Sequence, residues 1–178
     1  MFVPFEFGSS KEDIMRWSLY LLSLALCGLG LPVVRAGDKS EDYLKDGKLK
    51  ERLEVRVTQG GFAGFTGKYY AIEPDGSWNT GLVLPPREKK GEPKSQGKLN
   101  AKQLAQLAND LASNDLATLP NHGEPRVNPR VIEVCFGKKT SRLQLNPGRS
   151  TPEADQAIRA RYAGVVQAVK ALLSPIPP

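Results

Sequence analysis

One histidine, two cysteines and a dense run of glycines are the residues through which this 178-residue chain could act on another molecule. The scarcity is informative. A zinc site built from several His or Cys ligands is out of reach with His122, Cys27 and Cys135 alone, and a Ser-His-Asp relay would have to use His122. His122 lies in a Pro/Gly loop two residues from Glu124. One imidazole and one carboxylate do not define a hydrolase, and a solvated loop histidine is the plainer reading. Cys135 falls in the alternating run 131–136, with no histidine near it in sequence, and reads as a strand thiol rather than a nucleophile. Glu73 and Asp75 flank a turn and read as solvated carboxylates. Trp78, Tyr69 and Tyr70 could form a stacking platform for nucleic acid or sugar. Tyr69 and Tyr70 are adjacent, however, so they point to opposite faces of a strand and at least one belongs to a core. The chain therefore reads as a non-enzymatic protein with no catalytic residues, no cofactor and no metal of its own.

The glycine run Gly60-Gly61-Phe62-Ala63-Gly64-Phe65-Thr66-Gly67 is the most unusual local feature. Glycine loops cradle phosphates when they open a helix, but this one leads into strand-forming residues and lacks the Lys-Ser or Lys-Thr ending of a P-loop. Two readings remain. The run is a tight β–β connection with Phe62 and Phe65 tucked onto the core, or it is an exposed loop. In the second case Gly60, Gly61, Phe62, Ala63 and Gly64 bind a partner's cleft, since missing Cβ atoms permit close backbone approach.

Lys and Arg number 25 against 19 Asp and Glu, a net charge of +6. The cations are interspersed with acids rather than gathered in a stripe. That argues against nucleic acid and for, at most, weak attraction to an anionic envelope surface. The N-terminus carries Met15-Arg16, an apolar run from Trp17 to Leu31, and Val34 and Ala36 as an A-x-A-like site before Gly37. This predicts a signal peptide over 1–36, cleaved between Ala36 and Gly37, with an uncleaved anchor helix as the alternative. The acidic residues in 1–14 suit an n-region poorly, which makes Met15 a candidate true start. Cys27 follows Leu26 rather than a small residue, which disfavours a lipoprotein. Cleavage removes Lys11, Arg16 and Arg35 together with Glu6, Glu12 and Asp13, so the charge stays +6. The expected product is periplasmic or extracellular, without stable membrane insertion, and holds the single thiol Cys135.

The elements that must position the glycine run follow from periodicity. Residues 37–52 are polar and predict a tether. Alternation predicts strands over 53–58, 68–73 and 78–84, the last two joined by the turn Pro74-Asp75-Gly76-Ser77. The Pro-rich segment 85–96 predicts an exposed, mobile loop. Asn100 and Gln103 form a capping box for a helix whose Leu104, Leu107, Ala108 and Leu111 share one face. Strands over 131–136 and 141–145 follow, then a helix begun by Thr151-Pro152-Glu153 that buries Ile158, Tyr162, Val165, Val169 and Leu172. The fold expected for 53–174 is α+β: a single antiparallel sheet of about five strands with two helices packed on one face.

The segment Val55-Arg56-Val57-Thr58-Gln59-Gly60-Gly61-Phe62-Ala63-Gly64 resembles the opening strand and glycine turn of emfourin-like proteins, small bacterial inhibitors of thermolysin-like metalloproteases associated with protealysin. The layout continues the resemblance over roughly 53–173: a capped Leu/Ala helix, a segment Asn114–Pro120 ending in Leu-Pro, two strands and a closing amphipathic helix. It departs from the family in the hairpin at 74–76, the loop 85–96 and the export signal. The resemblance implies inhibition by occlusion, with the loop filling substrate subsites of a secreted zinc metalloprotease whose metal belongs to the target. The alternative is an envelope or periplasmic interaction module with no protease target.

Overall fold

In a computed structural model, residues 39–85, 89–123, 127–146 and 153–173 are described. Met15, Cys27, Ala36 and Gly37, and with them the signal segment and its cleavage site, lie outside these residues. The described elements are β1 (Leu44–Lys45), β2 (Lys48–Leu49), β3 (Leu53–Gly61), β4 (Gly64–Ile72), β5 (Ser77–Leu84), β6 (Lys89–Lys98), α1 (Ala101–Ser113), β7 (Arg130–Phe136), β8 (Lys139–Leu145) and α2 (Glu153–Leu173). The class is α+β. Six strands form one sheet in the order β6-β5-β4-β3-β7-β8, with every neighbouring pair antiparallel, and β1–β2 form a separate ribbon.

Parity places the core. Leu53, Val55 and Val57 of β3 share a face with Tyr70 and Ile72 of β4, Ile132 and Val134 of β7, and Leu143 of β8. These residues pack with Leu104, Leu107, Ala108 and Leu111 of α1 and Tyr162, Val165, Val166 and Val169 of α2. Both helices therefore cover the same face. The α1 start is the expected capping box: Asn100 Oδ1 accepts from the Gln103 amide and Gln103 Oε1 accepts from the Asn100 amide, each at 2.9 Å. On α2, Tyr162 is fully buried and donates to the Pro120 carbonyl at 2.7 Å, and burial pushes its phenol up to about 12. Gly164 looks like a weak point in a helix from sequence alone. Here it is where α2 meets the end of α1, because a Cβ would run into the Asn114 carboxamide.

Three expectations are corrected. Residues 39–50 are not a tether. Asp46-Gly47, both at positive φ, close the β1–β2 ribbon, and Tyr43 and Leu49 beside it are buried. The Tyr43 ring stands edge-on to Phe136 at 5.5 Å, and its hydroxyl accepts from the Ala117 amide. The Asp-Gly pair between two short apolar-polar couples is a hairpin signal that local polarity hid. Nor are residues 89–96 of the Pro-rich segment a loop, since they belong to β6, which makes the main sheet six-stranded rather than about five. β6 is an edge strand whose side chains from Glu92 to Lys98 are exposed, so its pairing uses backbone alone and leaves no apolar pattern to read. Its Lys residues and Pro93 suit an edge that must not pair further. Finally, His122 is not a freely solvated loop residue. Its backbone bridges to β8, with His122 N donating to the Arg142 carbonyl and its carbonyl accepting from the Gln144 amide, each at 2.8 Å.

Candidate functional site

The site is the β3–β4 hairpin and the edge of the sheet around it. β3 and β4 stay in register from Leu53↔Ile72 to Gly61↔Gly64. Their neighbours stop earlier: β7 pairs with β3 only as far as Gln59, and β5 pairs with β4 only from Gly67. The end of the hairpin therefore projects past the sheet on both sides. Phe62 and Ala63 keep negative φ, and Gly64 takes φ 115°, a backbone state that only glycine adopts without strain. The Phe62 ring at the apex is fully exposed.

A brace holds the projecting arm. The Gly60 amide donates to the Pro129 carbonyl at 2.7 Å, and Gln59 Nε2 donates to the Asn128 carbonyl at 2.6 Å. Pro129 lies so close that a Cβ on Gly60 would meet its Cδ at 2.8 Å. This corrects the expectation for Gly60, which is buried and serves as a strut rather than as a contact. Gly61, Phe62 and Ala63 are exposed and Gly64 is half-buried. Phe65 is half-buried on the face without helices, while Phe62 is fully exposed, so neither ring is tucked onto the main core.

Sequence reasoning missed the rest of this end. The exposed large apolar side chains among the described residues are Phe62, Val127 (86% exposed) and Leu84 (44% exposed). Val127 precedes the bracing Asn128-Pro129, and Leu84 ends β5 just past the Gly67↔Val83 pair. All three thus occupy the hairpin end of the sheet. Single exposed apolar residues are ordinary, whereas these three share one end of the sheet. No acidic residue lies in 55–72, 81–85 or 127–132, while Arg56, Lys68 and Arg130 do. The sequence separates these three segments by dozens of residues, so only the register reveals the grouping.

The base of the arm is fixed electrostatically on the face without helices. Glu54 of β3 is buried there and bonds Lys90 of β6, Arg56 (2.7 Å) and Arg52 (3.0 Å), and Arg56 reaches Glu133 of β7 at 3.5 Å. Burial opposes the charge on Glu54, but the hydrogen bonds from Lys90 and Arg56, with their charges, outweigh it and hold the carboxyl below its ordinary range. A carboxyl depressed in the folded state adds stability that is complete above the unfolded value of about 4.3 and is lost as pH falls through the lower folded value. Acid unfolding curves should therefore steepen below about pH 4.3. Glu54→Gln should remove that component and cost about 2 kcal/mol at pH 7, because Lys90 loses its carboxylate and Arg56 keeps only the longer contact with Glu133. A urea series at pH 3, 4, 5 and 7 on both proteins checks this.

The other candidate groups are dispersed. His122 Nε2 lies 3.1 Å from Asp155 Oδ1, and Glu124, its sequence neighbour, is outside the described residues. An open cavity of about 430 Å3 beside it includes Glu133, Thr140 and Arg142, but the Thr140 hydroxyl is directed to Cys135 Sγ at 3.5 Å. Burial, with nearby Glu133 and Glu54, pushes the Cys135 thiol up, against thiolate formation. Tyr69 is buried with Ala71 and Val83 on the helix-free face, and Trp78 packs against the main core, so the three aromatics do not meet as a platform. Asp75 is an Asx-turn residue, accepting from the Ser77 amide (3.0 Å) and hydroxyl (2.6 Å), which with Lys98 lowers its carboxyl to about 2. Among the described residues no group of three or more His, Cys, Asp or Glu could hold a metal, and no helix is long and apolar enough to cross a membrane. No family model matches the chain, and no curated protein does.

Proposed function

We propose that this chain is an exported, non-enzymatic binding domain that docks through the tip of the β3–β4 hairpin, and that its target is the substrate cleft of a thermolysin-like metalloprotease. The observation that carries the reading is Phe62: an aromatic ring held fully in solvent at the apex of a braced, two-sided projection. A braced backbone that already presents its apolar anchor loses less entropy on docking, which helps a small contact concentrate affinity. The resemblance of the segment Val55–Gly64 to emfourin-like inhibitors supports the protease as target. The apolar run and small residues before Gly37 support export, with residues 1–36 as a cleaved signal. In this mechanism the hairpin occludes subsites beside the protease's own metal, and Gly61 and Gly64 let the backbone lie close to the cleft walls.

Titrating the purified chain into a thermolysin-type protease tests the target. Activity against a peptide substrate should fall at micromolar chain and recover on dilution. Full activity at micromolar chain would remove the protease from the proposal and leave the tip to an envelope protein partner.

A further inference from the structure

Beneath the helix-bearing face of the outer strands, β4, β5, β6 and the last turn of α2 enclose an open groove of about 450 Å3. Three separate elements each supply its lining with a lysine: Lys68 from β4, Lys94 from β6 and Lys170 from α2. Among the described residues no carboxylate lines it. Tyr70, Thr80 and Ser95, each with a hydroxyl, also line it. Burial raises the Tyr70 phenol, which keeps it a proton donor.

This arrangement is unlike the cations elsewhere in the molecule. Arg52, Arg56 and Lys90 converge on Glu54, and Lys98 pairs with Asp75. Among the described residues, Lys68 and Lys94 have no acidic partner. Like charges lining one concavity repel, and a bound anion relieves that repulsion. The carbonyls ending α2 are a negative pole at the groove's rim, and Lys170 in that last turn offsets them. Glu92, the acid nearest to Lys94 on β6, is exposed and lies outside the lining. The cleft itself comes from an irregular ladder. β6 slips against β5 between Thr80 and Gly81 and again between Gly81 and Val83, where Gly81 lies against the Tyr69 ring.

We propose that this groove binds a compact phosphate-bearing polyanion, with Lys68 and Lys94 as its principal ligands. The volume suits a small molecule rather than a lone ion. Lysines spread over three elements suit a ligand carrying several charges, and lysine serves phosphate as a point charge. The hydroxyl donors complete the phosphate oxygens.

The test uses the full chain with two probes, pyrophosphate in solution and vesicles containing phosphatidylglycerol, which separate a free phosphate ligand from a lipid headgroup. Pyrophosphate binding is read by calorimetry and vesicle binding by co-sedimentation. The double variant Lys68→Gln/Lys94→Gln should weaken binding of the productive probe by about tenfold or more, given two lost charge-assisted hydrogen bonds. Lys45→Gln/Lys48→Gln, which removes the same charge from the β1–β2 ribbon, should change it by less than about twofold, as expected for exposed charges outside the groove lining. Phe62→Ala should leave it unchanged, which separates this site from the hairpin. The proposal is overturned if neither probe binds at millimolar concentration, or if the ribbon variant weakens binding as much as the groove variant.

Discussion

Gly67→Ala should lower the melting temperature by about 10 °C or more. Gly67 sits in a central strand, paired with Thr58 on one side and Val83 on the other. A Cβ there would press on the Val57 carbonyl oxygen and stand 2.7 Å from Thr58 Cα and 2.9 Å from the Val57 carbonyl carbon. These are backbone atoms of a paired neighbour, so no side chain can swing away to make room. Relief requires parting β3 from β4 or slipping their register, and a one-residue slip of β4 against β3 would turn Tyr70 and Ile72 out of the core. Overpacking of this kind costs about 3 kcal/mol. Gly61→Ala is the matched control, because its Cβ would find only the Gly64 carbonyl oxygen at 3.6 Å, an ordinary contact. Parallel thermal melts decide the matter. A Gly67→Ala melt within about 2 °C of the parent would mean that β3 and β4 are not held as tightly as their register indicates.

This contrast explains what the sequence could and could not reveal. Four glycines in one short run look alike as letters. In the structure Gly60 makes room for Pro129, Gly64 takes a positive φ, Gly67 lies under the β3 backbone, and Gly61 alone has space for a side chain. Their separate roles depend on partners distant in sequence, which periodicity does not encode. Helix α1 was legible because its cap and apolar face are local, and the turn at Asp75-Gly76 for the same reason. β6 was not, because an edge strand of lysines, glycine and proline contributes backbone pairing without burying side chains. The β1–β2 ribbon was missed because its two buried anchors, Tyr43 and Leu49, stand among charged residues. At the candidate site, the exposed Phe62 was one of two readings of the glycine run. The grouping of Val127 and Leu84 with it, and the convergence of Lys68 and Lys94 on one groove, arise only when strands remote in the chain are set side by side.

Phe62→Ala is expected to weaken protease inhibition by about 30- to 1,000-fold, the range of roughly 2–4 kcal/mol that central aromatic anchors supply. The same substitution should leave the melting temperature unchanged, because the ring is fully exposed and its removal opens no cavity. This pairing gives the variant its power. Most alanine substitutions at a binding surface also disturb the free protein, and the two effects are then hard to part. Here the unbound state loses nothing except an apolar group facing water, so a change in the inhibition constant reports on the bound state alone. Val127→Ala should act in the same direction with a smaller effect, about tenfold or less, since a valine away from the apex fills less of a cleft. Gly61→Asp, which has room to fold, places a carboxylate beside the anchor. It should weaken inhibition further by bringing a charge that must be desolvated into an apolar contact. Inhibition constants measured for the parent and these three variants, with melts run alongside, form a single experiment. Equal constants for the parent and Phe62→Ala would place any docking surface away from the hairpin apex, whatever the protease result for the parent.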